Sequence, residues 1–174
     1  MLKLDLETLI SEEKLHQRTK ELGAKISKDY EGKEITVICV LKGGVMFMVD
    51  LVKQIDVPLR MDFMVVSSYG NEFKSSGVVK IVKDLDESIT NKHVVIVEDI
   101  IDSGRTLNYL VKILKERQPA SIEICTLLDK PEQRIAQVDV KYVGFSIENH
   151  FVLGYGLDYE QLYRNLPYIA VNKG

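Results

Sequence analysis

The chain has 174 residues, a formal net charge of −3 and a pI of about 5.7. That length suits one domain with a full hydrophobic core. The sequence carries no basic run of the kind that tracks nucleic acid, and its apolar runs are too short to span a bilayer. The stretch Met1-Leu2-Lys3-Leu4-Asp5 lacks a secretory h-region. Cys39 and Cys125 sit inside apolar runs and read as buried free thiols of a reducing compartment. A cytoplasmic protein with no nucleic-acid or membrane partner is expected.

In chain order, Leu15, Leu22 and Ile26 predict an amphipathic helix from Ser11 to about Lys28, stopped by Gly32. Residues 35–41 form an apolar run without alternation, the pattern of a strand buried on both faces. It leads into Lys42-Gly43-Gly44 and then a helical stripe of Met48, Leu51, Val52 and Ile55. The two glycines are either a tight turn or, with Lys42, an anion site built from backbone N–H groups. Pro58 opens a strand at 61–66. Residues 67–77 are small and polar, which fits either a plain hairpin or a mobile functional loop. Residues 78–82 form its far arm, and Asn91-Lys92-His93 turns the chain.

The densest chemistry follows at 94–106. Val94-Val95-Ile96-Val97 runs into Glu98-Asp99, then Ile100-Ile101, then Asp102-Ser103-Gly104-Arg105-Thr106. Leu107, Leu110, Val111 and Leu114 continue at helical spacing until Gln118-Pro119. The segment therefore predicts a buried strand, an acidic edge, a tight turn and a helix. Ligands of parallel sheets lie beyond the carboxyl ends of the strands. Gly104 permits close approach, Ser103 and Thr106 offer hydroxyls, Arg105 adds a cation, and the helix N-terminus favours an anion. A phosphate monoester fits that set. Glu98 and Asp99 repel phosphate but suit sugar hydroxyls or a hard cation. Together they point to a phosphorylated sugar.

Residues 122–128 predict another strand, ending at Asp129-Lys130-Pro131, and 141–145 a further one. Lys130 would face the same side as Asp102. Residues 151–159 alternate apolar and aromatic residues with glycine and end near Asp158, and 167–171 close with a last strand. Strands alternating with helices predict an α/β fold with a mainly parallel central sheet flanked by helices.

The 94–106 stretch resembles the phosphoribosyl pyrophosphate (PRPP) motif of type I phosphoribosyltransferases. Three further pieces match the family in order: Leu41 to Gly44, Ser68-Tyr69, and Phe151 to Arg164. The last resembles closely the base-holding segment of hypoxanthine and hypoxanthine-guanine phosphoribosyltransferases. The resemblance implies one phosphoribosyltransferase domain over 1–174, with a small hood from the N- and C-terminal segments and a flexible lid at about 67–77. It implies that Asp102, Ser103, Gly104, Arg105 and Thr106 hold the 5′-phosphate, with Asp102 also the catalytic base at N7. Lys42, Gly43 and Arg164 would take pyrophosphate, with a cis peptide bond before Lys42. Glu98 and Asp99 would serve ribose and metal, and Asp158 a Mg²⁺ ion. Lys130, Phe151, Val152 and Asp158 would hold the purine, and Ser68 and Tyr69 would close over it.

On that resemblance the reaction is transfer of 5-phosphoribose from PRPP to N9 of hypoxanthine or guanine, with Mg²⁺, in a homodimer or homotetramer. Lys130 favours a 6-oxo group, since a 6-amino group would set a donor against a donor. Glu148-Asn149-His150 departs from the family's usual residues before Phe151, which leaves xanthine preference open. A PRPP-binding regulatory protein of the same fold is the alternative from a different class.

Overall fold

The computed structural model describes residues 4–68 and 79–173. Its centre is a six-stranded sheet in the order β4-β3-β2-β5-β6-β7. The strands are β2 (Ile35–Leu41), β3 (Leu59–Ser68), β4 (Val79–Lys83), β5 (His93–Ile101), β6 (Ser121–Asp129) and β7 (Tyr142–Ser146). All neighbours are parallel except β3 and β4, which pair antiparallel as the two arms beside the predicted lid.

Helices α1 (Glu12–Asp29) and α2 (Val45–Val52) cover one face of the sheet and α3 (Arg105–Glu116) the other. The strands divide their side chains accordingly. Val37, Cys39, Val95, Val97, Cys125 and Leu127 pack toward α1 and α2, whereas Ile38, Val40, Val94, Ile96 and Ile124 pack toward α3. Both faces are apolar, which is why these strands showed no alternation. Cys39 and Cys125 are buried free thiols, and burial pushes the Cys39 thiol up to about 12.

After β2 the chain crosses through α2 to β3 on one side; after β5 it crosses through α3 to β6 on the other. The carboxyl ends of the adjacent β2 and β5 therefore form a topological switch point, the usual ligand crevice of such sheets. Above them a second, antiparallel sheet in the order β1-β9-β8 joins β1 (Leu6–Ile10), β8 (Val152–Leu153) and β9 (Ile169–Asn172).

Three local expectations are corrected. Helix α1 ends at a Tyr30 cap, whose N–H bonds back to Ile26 O, and Gly32 only turns the chain two residues later. Strand β5 does not stop at an acidic edge. It runs through Glu98 and Asp99 to Ile101, because Glu98 registers with Thr126 and Ile100 with Leu128 on β6. The 151–159 stretch keeps only two strand residues before it turns.

Candidate active site

Gly104 caps the N-terminus of α3, and its φ of +74° is one that L side chains rarely adopt. A Cβ there would stand 2.8 Å from Ala136 O and 2.9 Å from Arg134 Cδ. The loop before it is clamped from outside: Ile135 N and Ala136 N both donate to Ser103 O at 2.9 Å. Arg134 Nε donates to Asp102 O at 3.2 Å while its Nη2 reaches Asp129 Oδ1. Ser103 Oγ accepts from Arg105 N at 3.4 Å. The result is a fixed turn whose backbone donors and helix dipole face a cleft of about 220 Å³ lined by Glu98, Ile100, Asp102, Ser103, Gly104 and Thr106.

Glu98 forms part of the floor of this cleft. Burial pushes its carboxyl well above the usual range, and the neighbouring Asp99 charge adds to that. Burial also raises Asp99, against the Ile100 N–H that donates to its Oδ1 at 2.7 Å and the charge of Arg164. Carboxyls held up in this way are poised for hydroxyl donors or a cation.

The loop after β2 carries a cis Leu41-Lys42 peptide. Its Gly43 packs directly against the Asp99 carboxylate. Lys42 Nζ reaches across to Gln161 Oε1 at 3.2 Å. Arg164 pairs with Asp158 Oδ1 at 2.8 Å and donates to Gly156 O at 2.7 Å. The two basic residues assigned to pyrophosphate thus meet at one edge of the site.

At the other edge stands Lys130, only 7% exposed, with Nζ 3.2 Å from Asp102 Oδ1. The register of β5 and β6 makes this contact, since Ile101 lies opposite Asp129. Phe151 is 60% exposed and meets Tyr159 edge-on, ring centroids 5.8 Å apart. An exposed aromatic face of this kind is suited to a flat heterocycle. Val152 is buried on β8. Ser68 ends β3; Tyr69 and the rest of the predicted lid lie outside the described residues.

Sequence reasoning missed Arg134, Asp129 and Gln161. No motif marks them, and only the folded loops bring them to the site. Among the described residues, no three acids, histidines or cysteines gather into a metal-binding group. No helix among them is long and apolar enough to cross a membrane.

The model of the phosphoribosyl transferase domain matches residues 7–160, and the chain belongs to this family, with the type I fold. Within it, the chain is 54% identical over 174 residues to the hypoxanthine-guanine phosphoribosyltransferase of Bacillus subtilis, covering 99% of this chain and 97% of that one. A crystal structure of a hypoxanthine phosphoribosyltransferase from Staphylococcus aureus superposes with a TM-score of 0.94 at 52% identity, over 98% of this chain and 92% of that one. The chain is also 53% identical over 165 residues to the bifunctional protein TilS/HprT of Listeria monocytogenes, covering 95% of this chain and 26% of that protein. It therefore spans about a quarter of the length of those bifunctional relatives.

Proposed function

We propose that the protein transfers 5-phosphoribose from PRPP to N9 of hypoxanthine or guanine, giving IMP or GMP and pyrophosphate. The observation that carries this reading is the Lys130–Asp102 pair at 3.2 Å. It joins a buried donor suited to a 6-oxo group to the acid at the head of a phosphate-binding turn. A base lying against Lys130 and Phe151 would present its imidazole edge to Asp102, beside the sugar whose phosphate the turn holds.

In the reaction the bond from C1 of ribose to pyrophosphate breaks, the C1–N9 bond forms, and one proton leaves the purine. The Ser103–Thr106 turn and Arg105 hold the 5′-phosphate by backbone and side-chain donors. Glu98 and Asp99 accept from the ribose hydroxyls. Lys42, the Gly43 backbone and Arg164 meet the charge that grows on the leaving pyrophosphate. Lys130 donates to the 6-oxo group, Phe151 covers one purine face, and Val152 contacts the base through its backbone. Asp102 accepts the purine proton at N7. A lid following β3, with Ser68 at its start and Tyr69 within it, would keep water from the cationic ribosyl centre.

The carboxylates of Glu98, Asp99 and Asp158 are hard oxygen donors of the kind Mg²⁺ takes. A site of one or two carboxylates completed by substrate oxygens suits that ion better than an all-protein cage. Bound there, Mg²⁺ would neutralise charge on PRPP and pyrophosphate. We place the enzyme in the cytoplasm, in keeping with its two reduced buried thiols, and as a homodimer or homotetramer.

The test is direct. Incubate the protein with PRPP, Mg²⁺ and hypoxanthine, guanine, xanthine or adenine separately, and follow nucleotide formation. Product with hypoxanthine or guanine, and none with adenine, is expected. No product with any purine would leave a PRPP-binding regulator in its place.

A further inference from the structure

The segment after Asp158 holds an unusual backbone. Glu160, Gln161 and Tyr163 have φ values of +51°, +68° and +71°. Such conformations are uncommon for residues with a side chain and gather where function requires them. Tyr159 and Leu162 exchange two backbone hydrogen bonds, at 3.1 and 3.0 Å, and this closes the segment into a tight loop. The Gln161 N–H donates to Asp158 Oδ2 at 2.8 Å. These bonds fix where the Gln161 side chain begins.

Its carboxamide oxygen accepts from Lys42 Nζ and from Arg164 Nη2, each at 3.2 Å. Lysine and arginine offer donors and no acceptor, so the amide has to turn its oxygen toward them. One neutral oxygen thus bridges two cations from separate loops. On the assignment of these residues to pyrophosphate, one of its phosphoryl oxygens would take the same two donors.

We propose that Gln161 is an internal competitor for the pyrophosphate site. This rests on the assignment of Lys42 and Arg164 to pyrophosphate. When pyrophosphate or the diphosphate of PRPP binds, the amide leaves both cations. Arg164 keeps its pair with Asp158 Oδ1 at 2.8 Å throughout; when pyrophosphate departs, the amide returns to Lys42 and to the same Arg164 nitrogen and offsets part of the cost of uncovering them. The neutrality of glutamine matters here. A neutral acceptor yields to a polyanion, whereas a carboxylate at the same place would form charge-assisted bonds and repel the ligand.

The test is calorimetric titration of the full chain with inorganic pyrophosphate in Mg²⁺ buffer, for wild type, Gln161→Met, Gln161→Glu and Lys42→Ala. Methionine keeps the side chain's length and removes the acceptor, and the main-chain bond to Asp158 is untouched. Gln161→Met is expected to bind pyrophosphate about five-fold tighter, since both lost contacts are exposed and screened by solvent. Gln161→Glu is expected to bind at least about ten-fold more weakly. Thermal unfolding checks that each variant is folded, and the opposite signs exclude a shared structural defect. If Lys42→Ala weakens binding while both Gln161 variants match wild type, the competitor is disproved and the pyrophosphate assignment stands. If none of the three variants alters binding, both fall.

Discussion

The carboxylate of Asp99 occupies the space that any side chain on Gly43 would need. One oxygen of that carboxylate is fixed by the Ile100 N–H at 2.7 Å, so it does not swing aside freely. The acidic end of β5 and the loop after β2 are therefore packed against each other, and their spacing depends on a missing side chain. Gly43→Ala is expected to force the loop and Asp99 apart. Overpacking of this kind costs roughly 1–3 kcal/mol, which, borne by the ligand-binding arrangement, corresponds to about five- to 150-fold in PRPP affinity. Calorimetry with PRPP measures it; wild-type affinity would show that the loop moves without consequence.

Lys130 is buried and pairs with Asp102 Oδ1 at 3.2 Å. A site built to donate a hydrogen bond loses its discrimination when the donor is removed. Lys130→Met should cut kcat/KM for hypoxanthine by about a hundred-fold or more and leave PRPP affinity near wild type, since the backbone of the 102–104 turn is held by Arg134, Ile135 and Ala136 rather than by the Lys130 side chain. Steady-state kinetics with hypoxanthine, beside PRPP binding, separate the two. Equal losses in both would mean that Lys130 only supports the turn.

Remote from the site, Arg117 at the end of α3 grips Asp84 with two bonds, of 2.7 and 2.8 Å. The Arg117 hydrogen bond, with lesser help from Leu85 N–H, holds the Asp84 carboxyl below its ordinary value. A depressed carboxyl stabilises the fold above its unfolded-state pKa, about 3.9. That stability is lost as pH falls through the lower folded-state value. Asp84 is half exposed, so solvent screening limits the effect to about 1 kcal/mol or less. Asp84→Asn should lower Tm by about 2–4 °C near pH 7, and the gap should close as pH drops from about 5 toward 3. A gap independent of pH would show that charge is not its source.

Much of this was legible in the chain because it is local. The strand–turn–helix units at 35–52 and 94–116 are written as apolar runs, small turn residues and helical stripes. Their adjacency was not written, yet it places the cleft. Leu6–Ile10 went unread as a strand, since five residues with weak alternation show little until Ile169–Asn172 pairs with them from the far end of the chain. The apolar run predicts a strand that gives way to an acidic edge at Glu98-Asp99; the register with β6 carries the strand through them. Arg134 and Gln161 had no signal at all. Their contacts arise from a clamp between loops and from left-handed backbone, and both are tertiary facts.

The most direct measurement compares Asp102→Asn with wild type, taking turnover and PRPP affinity on the same preparation. Asparagine keeps the size of the side chain and the backbone of the turn but cannot accept the purine proton as a carboxylate does. If Asp102 is the general base, kcat falls by about 10²–10⁴-fold while PRPP binds within a few-fold of wild type. Unchanged turnover would contradict the assignment and leave Asp102 as a residue that only orients the purine.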